Sequence, residues 1–328
     1  MEKPVSVTPD MTLGELLRLP EFAPLRDQLL IPAFFSPEEH GDVPLRALSD
    51  TWNLPLLCMG LNRALEVRRA GAPLLYRSGA DPEQFLFHFP GPAGGKAVVI
   101  CAGGGYGLVW SPGEGYPVAA RLNRMGYHAF VVNYRTGDRA RAPGPLDDLA
   151  ASLRYLFDHR ERWDADLDGY ALMGFSAAGH LAGCFGTKAL GWPAYGLPRP
   201  GALMLCYPVV TMGSDSEPGS RLNLLGPDPD PELARRYSLE EQIDPDYPPT
   251  YLWHCSEDAV VPGVNSRMLR DRLTAAGVPH WYRAYSGTDH GIGLADGTQA
   301  AGWLEEAVAF WRQVSAAAGT HPHRRILP

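Results

Sequence analysis

From Gln84 onward, apolar residues fall in short, nearly unbroken runs, separated by stretches where they recur every three or four positions. The runs Gln84–His88, Ala97–Ala102, His128–Asn133, Tyr170–Met173, Ala202–Cys206, Thr250–His254 and Trp281–Tyr285 predict strands. The stretches Pro117–Arg124, Leu146–His159, Ala177–Lys188, Asn265–Ala276 and Trp303–Val314 predict helices. Strands this apolar belong in a sheet covered on both faces. Their alternation with helices predicts the α/β class, with a mostly parallel, doubly wound sheet and helices on both faces. Ligands of such sheets bind beyond the carboxyl ends of the strands.

Residues 1–80 read differently. Thr12 and Glu15 have capping-box spacing ahead of Leu16, Leu17 and Leu19. Between Leu54 and Arg69, Leu57, Leu61, Ala64, Leu65 and Arg68 recur at helical steps, and no β-rich run appears. The expected organisation is a helical N-terminal extension (1–80), a main α/β domain (81–318) and a short tail (319–328). Within the main domain, 211–249 is rich in Pro, Asp, Ser and Gly, with weak helical signals at Glu232–Tyr237 and Leu239–Gln242. A long excursion between two core strands is either a lid or binding loop or a solvated excursion, and its place on the side of the chemistry favours the lid.

Composition narrows the function classes. The chain has 328 residues, 45% of them hydrophobic, enough for a sizeable core. A net charge of −8 argues against nucleic-acid binding and against an anionic membrane surface. The five cysteines, Cys58, Cys101, Cys184, Cys206 and Cys255, show no CxxC spacing. No HExxH occurs, and His321-x-His323 lies in the Pro- and Arg-bearing tail, so no metal is expected. The N-terminus lacks a basic stretch followed by an apolar segment, and no run reaches membrane-spanning length. A soluble, cytoplasmic protein without cofactor is the expectation.

The sharpest local signal is Tyr170-Ala-Leu-Met-Gly-Phe-Ser-Ala-Ala-Gly-His180, a strand entering a tight turn at Ser176 and leaving as a small-residue helix. That is the setting of a nucleophile elbow, where a strained turn lifts a serine hydroxyl above the sheet. Gly174 obeys the G-x-S-x-G pattern; Ala178 stands at its last position. A glycine-rich turn with an incidental serine is the competing reading, and the rest of the chain bears on it.

A serine needs a base, and the base an orienting acid. After the strand ending at His254 come Glu257 and Asp258; after the strand ending at Tyr285 come Asp289, His290 and Gly291. Asp258 directly precedes Ala-Val-Val-Pro262, which would hold it in place, and Glu257 is its alternative. Asp289 adjoins His290 and should point elsewhere. His88, His128 and His254 fall in or beside strands, as core histidines do, and His180 should brace the elbow. His290 is left as base. Ser176, Asp258 and His290 then all project from one edge of the sheet.

A third element, Val98-Val-Ile-Cys-Ala-Gly-Gly-Gly-Tyr-Gly107, ends a strand in three glycines whose N–H groups can face an oxyanion unobstructed. The N–H of Ala177, directly after the serine, is the expected second donor. Phosphate binding is disfavoured, because the dinucleotide glycine spacing is broken and Gly94-Gly-Lys-Ala97 lacks the Walker hydroxyl. Tyr106 and Trp110 follow the glycines and either shape a small substrate pocket or pack the loop.

With these motifs in this order, residues 80–315 resemble the α/β-hydrolase superfamily, and within it the bacterial acetyl-esterase and acetylxylan-esterase-like group. The resemblance rests on Cys101-Ala-Gly-Gly-Gly-Tyr106, Asn133-Tyr-Arg135, Ala142–Asp148, Gly174–His180, Ser256-Glu-Asp258 and Asp289-His-Gly291. It implies a serine esterase acting on short acyl esters of sugars or small alcohols. Ser176, Asp258 and His290 would form its triad, with Gly104, Gly105 and Ala177 near the oxyanion. Two positions depart from relatives: Ala102 stands where lipase-like proteins have His, and Ala178 where the elbow usually has Gly. A peptidase or amidase, an acyltransferase, or a non-catalytic receptor on the same scaffold are the alternative functions. The extension would cover the active-site mouth or form a subunit contact, so a homodimer would be unsurprising.

Overall fold

The computed structural model describes residues 5–31, 35–48 and 53–319. The chain opens with α1 (Leu13–Arg18), started by a reciprocal capping box: the Thr12 hydroxyl accepts the Glu15 N–H at 3.2 Å, and Glu15 accepts the Thr12 N–H at 2.8 Å. Two single-turn helices, α2 (Arg26–Leu29) and α3 (Pro37–His40), lead to the long α4 (Leu54–Arg69). Leu57, Leu61, Ala64 and Leu65 of α4 are buried, as their spacing predicts.

Eight strands follow: β1 (Leu75–Arg77), β2 (Phe85–Phe89), β3 (Gly95–Cys101), β4 (His128–Val132), β5 (Ala165–Phe175), β6 (Ala202–Cys206), β7 (Thr250–Cys255) and β8 (His280–Tyr285). They form one sheet in the order β1-β2-β4-β3-β5-β6-β7-β8. The first two are antiparallel additions at one edge; from β4 to β8 every pairing is parallel. The extension is helical through α1–α4, as expected, and strand β1 at its end is an addition. It is three residues long and is stabilised by pairing with β2, so no periodicity could reveal it. Strand β5 starts earlier than its apolar run, because Ala165 and Asp166 pair with Gly95 and Lys96 ahead of a register shift.

The remaining helices are α5 (Tyr116–Arg124), α6 (Gly144–Asp158), α7 (Ala177–Gly186), α8 (Pro218–Leu225), α9 (Pro231–Arg236), α10 (Val264–Ala275) and α11 (Trp303–Gly319). Alternate strand residues feed two separate cores. Val98, Ile100, Val131 and Met173 face α4, α5 and α11, while Val99, Cys101, Val132 and Leu172 face α6, α7 and α10. This double burial is why the strands read as continuous apolar runs. It also makes the N-terminal extension part of the main body, since Leu57 and Leu61 share one core with the sheet. Of the tail at 319–328, residues 320–328, with His321 and His323, lie outside the described residues.

The excursion at 211–249 carries α8 and α9, both begun by acidic caps. Glu217 accepts the N–H groups of Gly219 and Ser220, and Asp230 that of Glu232. Helix α8 was not anticipated in the sequence. It returns over the sheet edge, where Asn223 donates to the Gly105 carbonyl at 2.8 Å.

Candidate active site

Four loops at the carboxyl ends of β3, β5, β7 and β8 converge on Ser176. At Ser176 the chain turns from β5 into α7 with φ 52° and ψ −124°, a left-handed conformation that an L-residue adopts only when its surroundings hold it. The turn is held by the Ser176 N–H donating to the Cys206 carbonyl at 2.9 Å and the Ser176 carbonyl accepting from Val209 at 3.1 Å. Its tightness explains Gly174, since a Cβ there would lie 2.1 Å from the Ala178 carbonyl oxygen. The Ser176 hydroxyl does not cap the helix behind it and points instead toward His290.

Ser176 Oγ and His290 Nε2 are 2.8 Å apart, and His290 Nδ1 and Asp258 Oδ2 are 2.6 Å apart. A carboxylate can only accept, so Nδ1 carries the proton and Nε2 is left to accept from the serine hydroxyl. The other oxygen of Asp258 accepts the N–H groups of Val260 and Val261, each at 2.9 Å, within the Ala-Val-Val-Pro segment expected to hold it. The Asp258 side chain is fully buried and that of His290 is 12% exposed. Glu257 and Asp289 are both exposed. The structure therefore brings together the three residues singled out from the sequence.

The glycine loop after β3 passes beside them. Gly104 has φ 130°, and a Cβ on it would meet the Leu108 carbonyl oxygen at 2.4 Å, so only glycine fits. Among the described residues no protein acceptor takes the N–H groups of Gly104, Gly105 or Ala177. Ala177 is also the first residue of α7, whose positive end favours developing negative charge. A cavity of about 500 Å³ opens over this array, lined among others by Leu108, Trp110, Glu217, Asn223 and Val260.

Trp110 is on that cavity wall, but Tyr106 is not. Its side chain is buried in the sheet–helix core, with its hydroxyl 2.9 Å from His180 Nδ1, so of its two readings loop packing is the one the structure holds. His180 Nε2 lies 2.6 Å from the Tyr237 carbonyl and must donate to it, which makes Nδ1 the acceptor from Tyr106. Burial pushes His180 down to about 4, so it stays neutral and braces the glycine loop against the excursion. His88 and His128 stack in the core, and His254 bonds the Tyr282 hydroxyl, each a structural histidine. Among the described residues no group of three His, Cys, Asp or Glu side chains could hold a metal ion.

Two site residues went unnoticed in the sequence. Glu114, 2% exposed, lines the cavity; it accepts the Gly103 N–H at 2.6 Å and the Tyr207 hydroxyl at 2.8 Å. Tyr207 in turn accepts the Gly293 N–H at 3.0 Å, and its ring lies 4.8 Å from that of His290. Burial raises the Glu114 carboxyl, against the opposing pull of Gly103, Tyr207 and His290. One buried carboxyl thus ties the glycine loop to the histidine loop. The only signal in the sequence was a lone Glu among Ser-Pro-Gly and Gly-Tyr, and Tyr207 directly after the β6 apolar run.

Sheet order, elbow and glycine loop define the α/β-hydrolase fold. The BD-FAE family model matches residues 92–190. The chain is 32% identical over 218 residues to an acetylxylan esterase of Xylanibacter ruminicola, covering 64% of this chain and 44% of that one. It is 30% identical over 215 residues to endo-1,4-beta-xylanase B of Butyrivibrio fibrisolvens, covering 63% and 34%. The chain thus spans less than half the length of either curated relative. Among solved structures, an acetyl ester-xyloside bifunctional hydrolase from Caldicellulosiruptor lactoaceticus aligns with a TM-score of 0.64 at 28% identity, over 76% of this chain and 97% of the other. The quarter of this chain without counterpart there is about as long as its N-terminal extension. The resemblance is to carbohydrate and acetyl esterases of the α/β-hydrolase fold.

Proposed function

We propose that the protein is a serine carboxylesterase that hydrolyses short-chain acyl esters, acetyl esters foremost, of sugars or small alcohols. The observation that carries this reading is the unbroken chain Asp258–His290–Ser176, set beside three backbone N–H groups with no acceptor among the described residues. Ser176 Oγ attacks the ester carbonyl as His290 Nε2 takes its proton, and Asp258 orients the ring and stabilises the imidazolium. The oxyanion is held by N–H groups of Gly104, Gly105 and Ala177. Collapse breaks the bond to the alcohol oxygen, which takes the proton from His290, and leaves an acyl-enzyme. Water, activated by the same histidine, releases the acid.

Preference for a small acyl group is supported by Leu108 and Val260 on the walls over Ser176 and by the acetyl-ester names of the relatives. The test is hydrolysis of p-nitrophenyl acetate, butyrate and octanoate by the wild type and by Ser176→Ala. Rates falling with chain length and lost in the variant are expected. An inactive wild type, or equal rates in the variant, would overturn the esterase reading in favour of a receptor; faster cleavage of aminoacyl amides would point to a peptidase.

A further inference from the structure

Beside the cavity over Ser176 lies a second, of about 330 Å³, walled by Asn53, Leu56 and Leu57 on one side and by Ile292 and Asp296 on the other. Trp110, His290 and Gly291 belong to the walls of both cavities, whereas Ser176 and the glycine loop line only the first. Helix α4 and the residue that caps it therefore reach the histidine from the side opposite the glycine loop. Asn53 is that cap, its Oδ1 accepting the Leu56 N–H at 3.3 Å.

The order of bond breaking says which part of an ester belongs there. When the tetrahedral intermediate collapses, the proton on His290 Nε2 passes to the departing alcohol oxygen. The alcohol must then lie against His290, while the acyl carbon stays on Ser176 beneath the glycine loop. A cavity walled by His290 but not by the glycine loop is on the alcohol side. We propose that this second cavity, closed by the N-terminal extension, is the subsite for the alcohol portion of the ester, and that it takes a ring-sized, polyhydroxylated alcohol. This assignment rests on the esterase reading above.

Size and lining fit that class. The volume is at the lower end of small-ligand sites, roughly 300–1,000 Å³, enough for a sugar ring but not for a long polymer segment. Leu56, Leu57, Ile292 and the Trp110 indole offer apolar surface to the C–H faces of a ring. The Asn53 amide and the Asp296 carboxylate offer polar atoms to its hydroxyls; Asp296 is itself fixed by Arg121 at 2.7 Å. A simple alkyl alcohol would make no use of either polar group.

The experiment compares kcat/KM for an acetylated methyl pyranoside with that for ethyl acetate in the wild type, Leu57→Trp and Asn53→Ser. Leu57→Trp fills the cavity, and Asn53→Ser keeps a capping oxygen while removing the amide. The expected result is a fall in the pyranoside-to-ethyl ratio of about tenfold or more in Leu57→Trp and of a few-fold in Asn53→Ser, carried by KM. If Leu57→Trp does not fold, Asn53→Ser decides. Ratios equal to wild type in the folded variants overturn the subsite. A wild type that cleaves ethyl acetate but not the pyranoside ester overturns the subsite alone, and one that cleaves neither overturns the esterase reading as well.

Discussion

Glu114 accepts the backbone N–H of Gly103 at 2.6 Å, although eleven positions and a helical turn separate them in the chain. Its other oxygen holds Tyr207, whose hydroxyl holds Gly293 near the histidine. The carboxyl therefore sets the position of the glycine loop relative to His290.

Glu114→Gln disturbs both hydrogen bonds and is expected to lower kcat/KM by about 10²-fold, the scale of one misplaced oxyanion donor. Tyr207→Phe, which keeps the bond from Gly103 to the carboxyl, should cost less. Steady-state kinetics of the three proteins check this; a wild-type kcat/KM in Glu114→Gln would reduce the residue to a packing role.

The two carboxylates at the β7 turn should differ sharply. Asp258→Asn is expected to cost about 10³–10⁴-fold in kcat, because the amide favours the wrong histidine tautomer. Glu257→Gln should stay near wild type, since Glu257 is exposed. Steady-state kinetics of both variants decide, and a comparable loss in Glu257→Gln would contradict the geometry.

Stability should depend on pH through the buried histidines. Burial holds His180 near 4 and His88 near 3, both below the ordinary 6.5. The unfolded chain therefore binds protons first as pH falls, so stability is fully present above about 6.5 and declines toward pH 4. Urea unfolding at pH 7.5 and pH 4.5 should show the drop, and His180→Gln should show a smaller one. Equal stability at the two pH values would contradict the neutral, buried assignment.

Another buried carboxylate ties the loop after β4 to its neighbours. Asp148, fully buried, accepts from the Arg135 backbone N–H, from its Nε and Nη2 atoms, and from Gln84 at 2.7 Å. This joins the loop after β4 to α6 and the start of β2. Asp148→Asn is expected to cost roughly 3 kcal/mol, as for a broken buried pair. Denaturant titration checks it, and a loss within experimental error would show the network to be dispensable.

Much of this is legible in the sequence. Ser176, Asp258 and His290 each follow an apolar run, and in a parallel sheet all such positions gather at one edge, so three distant residues could be placed together. Strands buried on both faces made their runs long enough to read. What escaped lacked a periodic signal. Strand β1 is a three-residue edge piece, and α8 is two turns long, between a polar Gly/Ser/Asp stretch and the prolines Pro227, Pro229 and Pro231. Tyr106 adjoins the glycines in sequence, but a φ of 56° turns its side chain into the core. Glu114 stands alone among glycines and prolines, and only the fold brings it to Gly103 and Tyr207.

On the proposed mechanism Ser176 is the nucleophile and His290 its base. Treating the purified protein with a fluorophosphonate and mapping the adduct by peptide mass spectrometry tests this. A single adduct on Ser176, absent in Ser176→Ala and strongly slowed in His290→Ala, is the predicted result. An unlabelled wild type, or label on any other residue, would contradict the account.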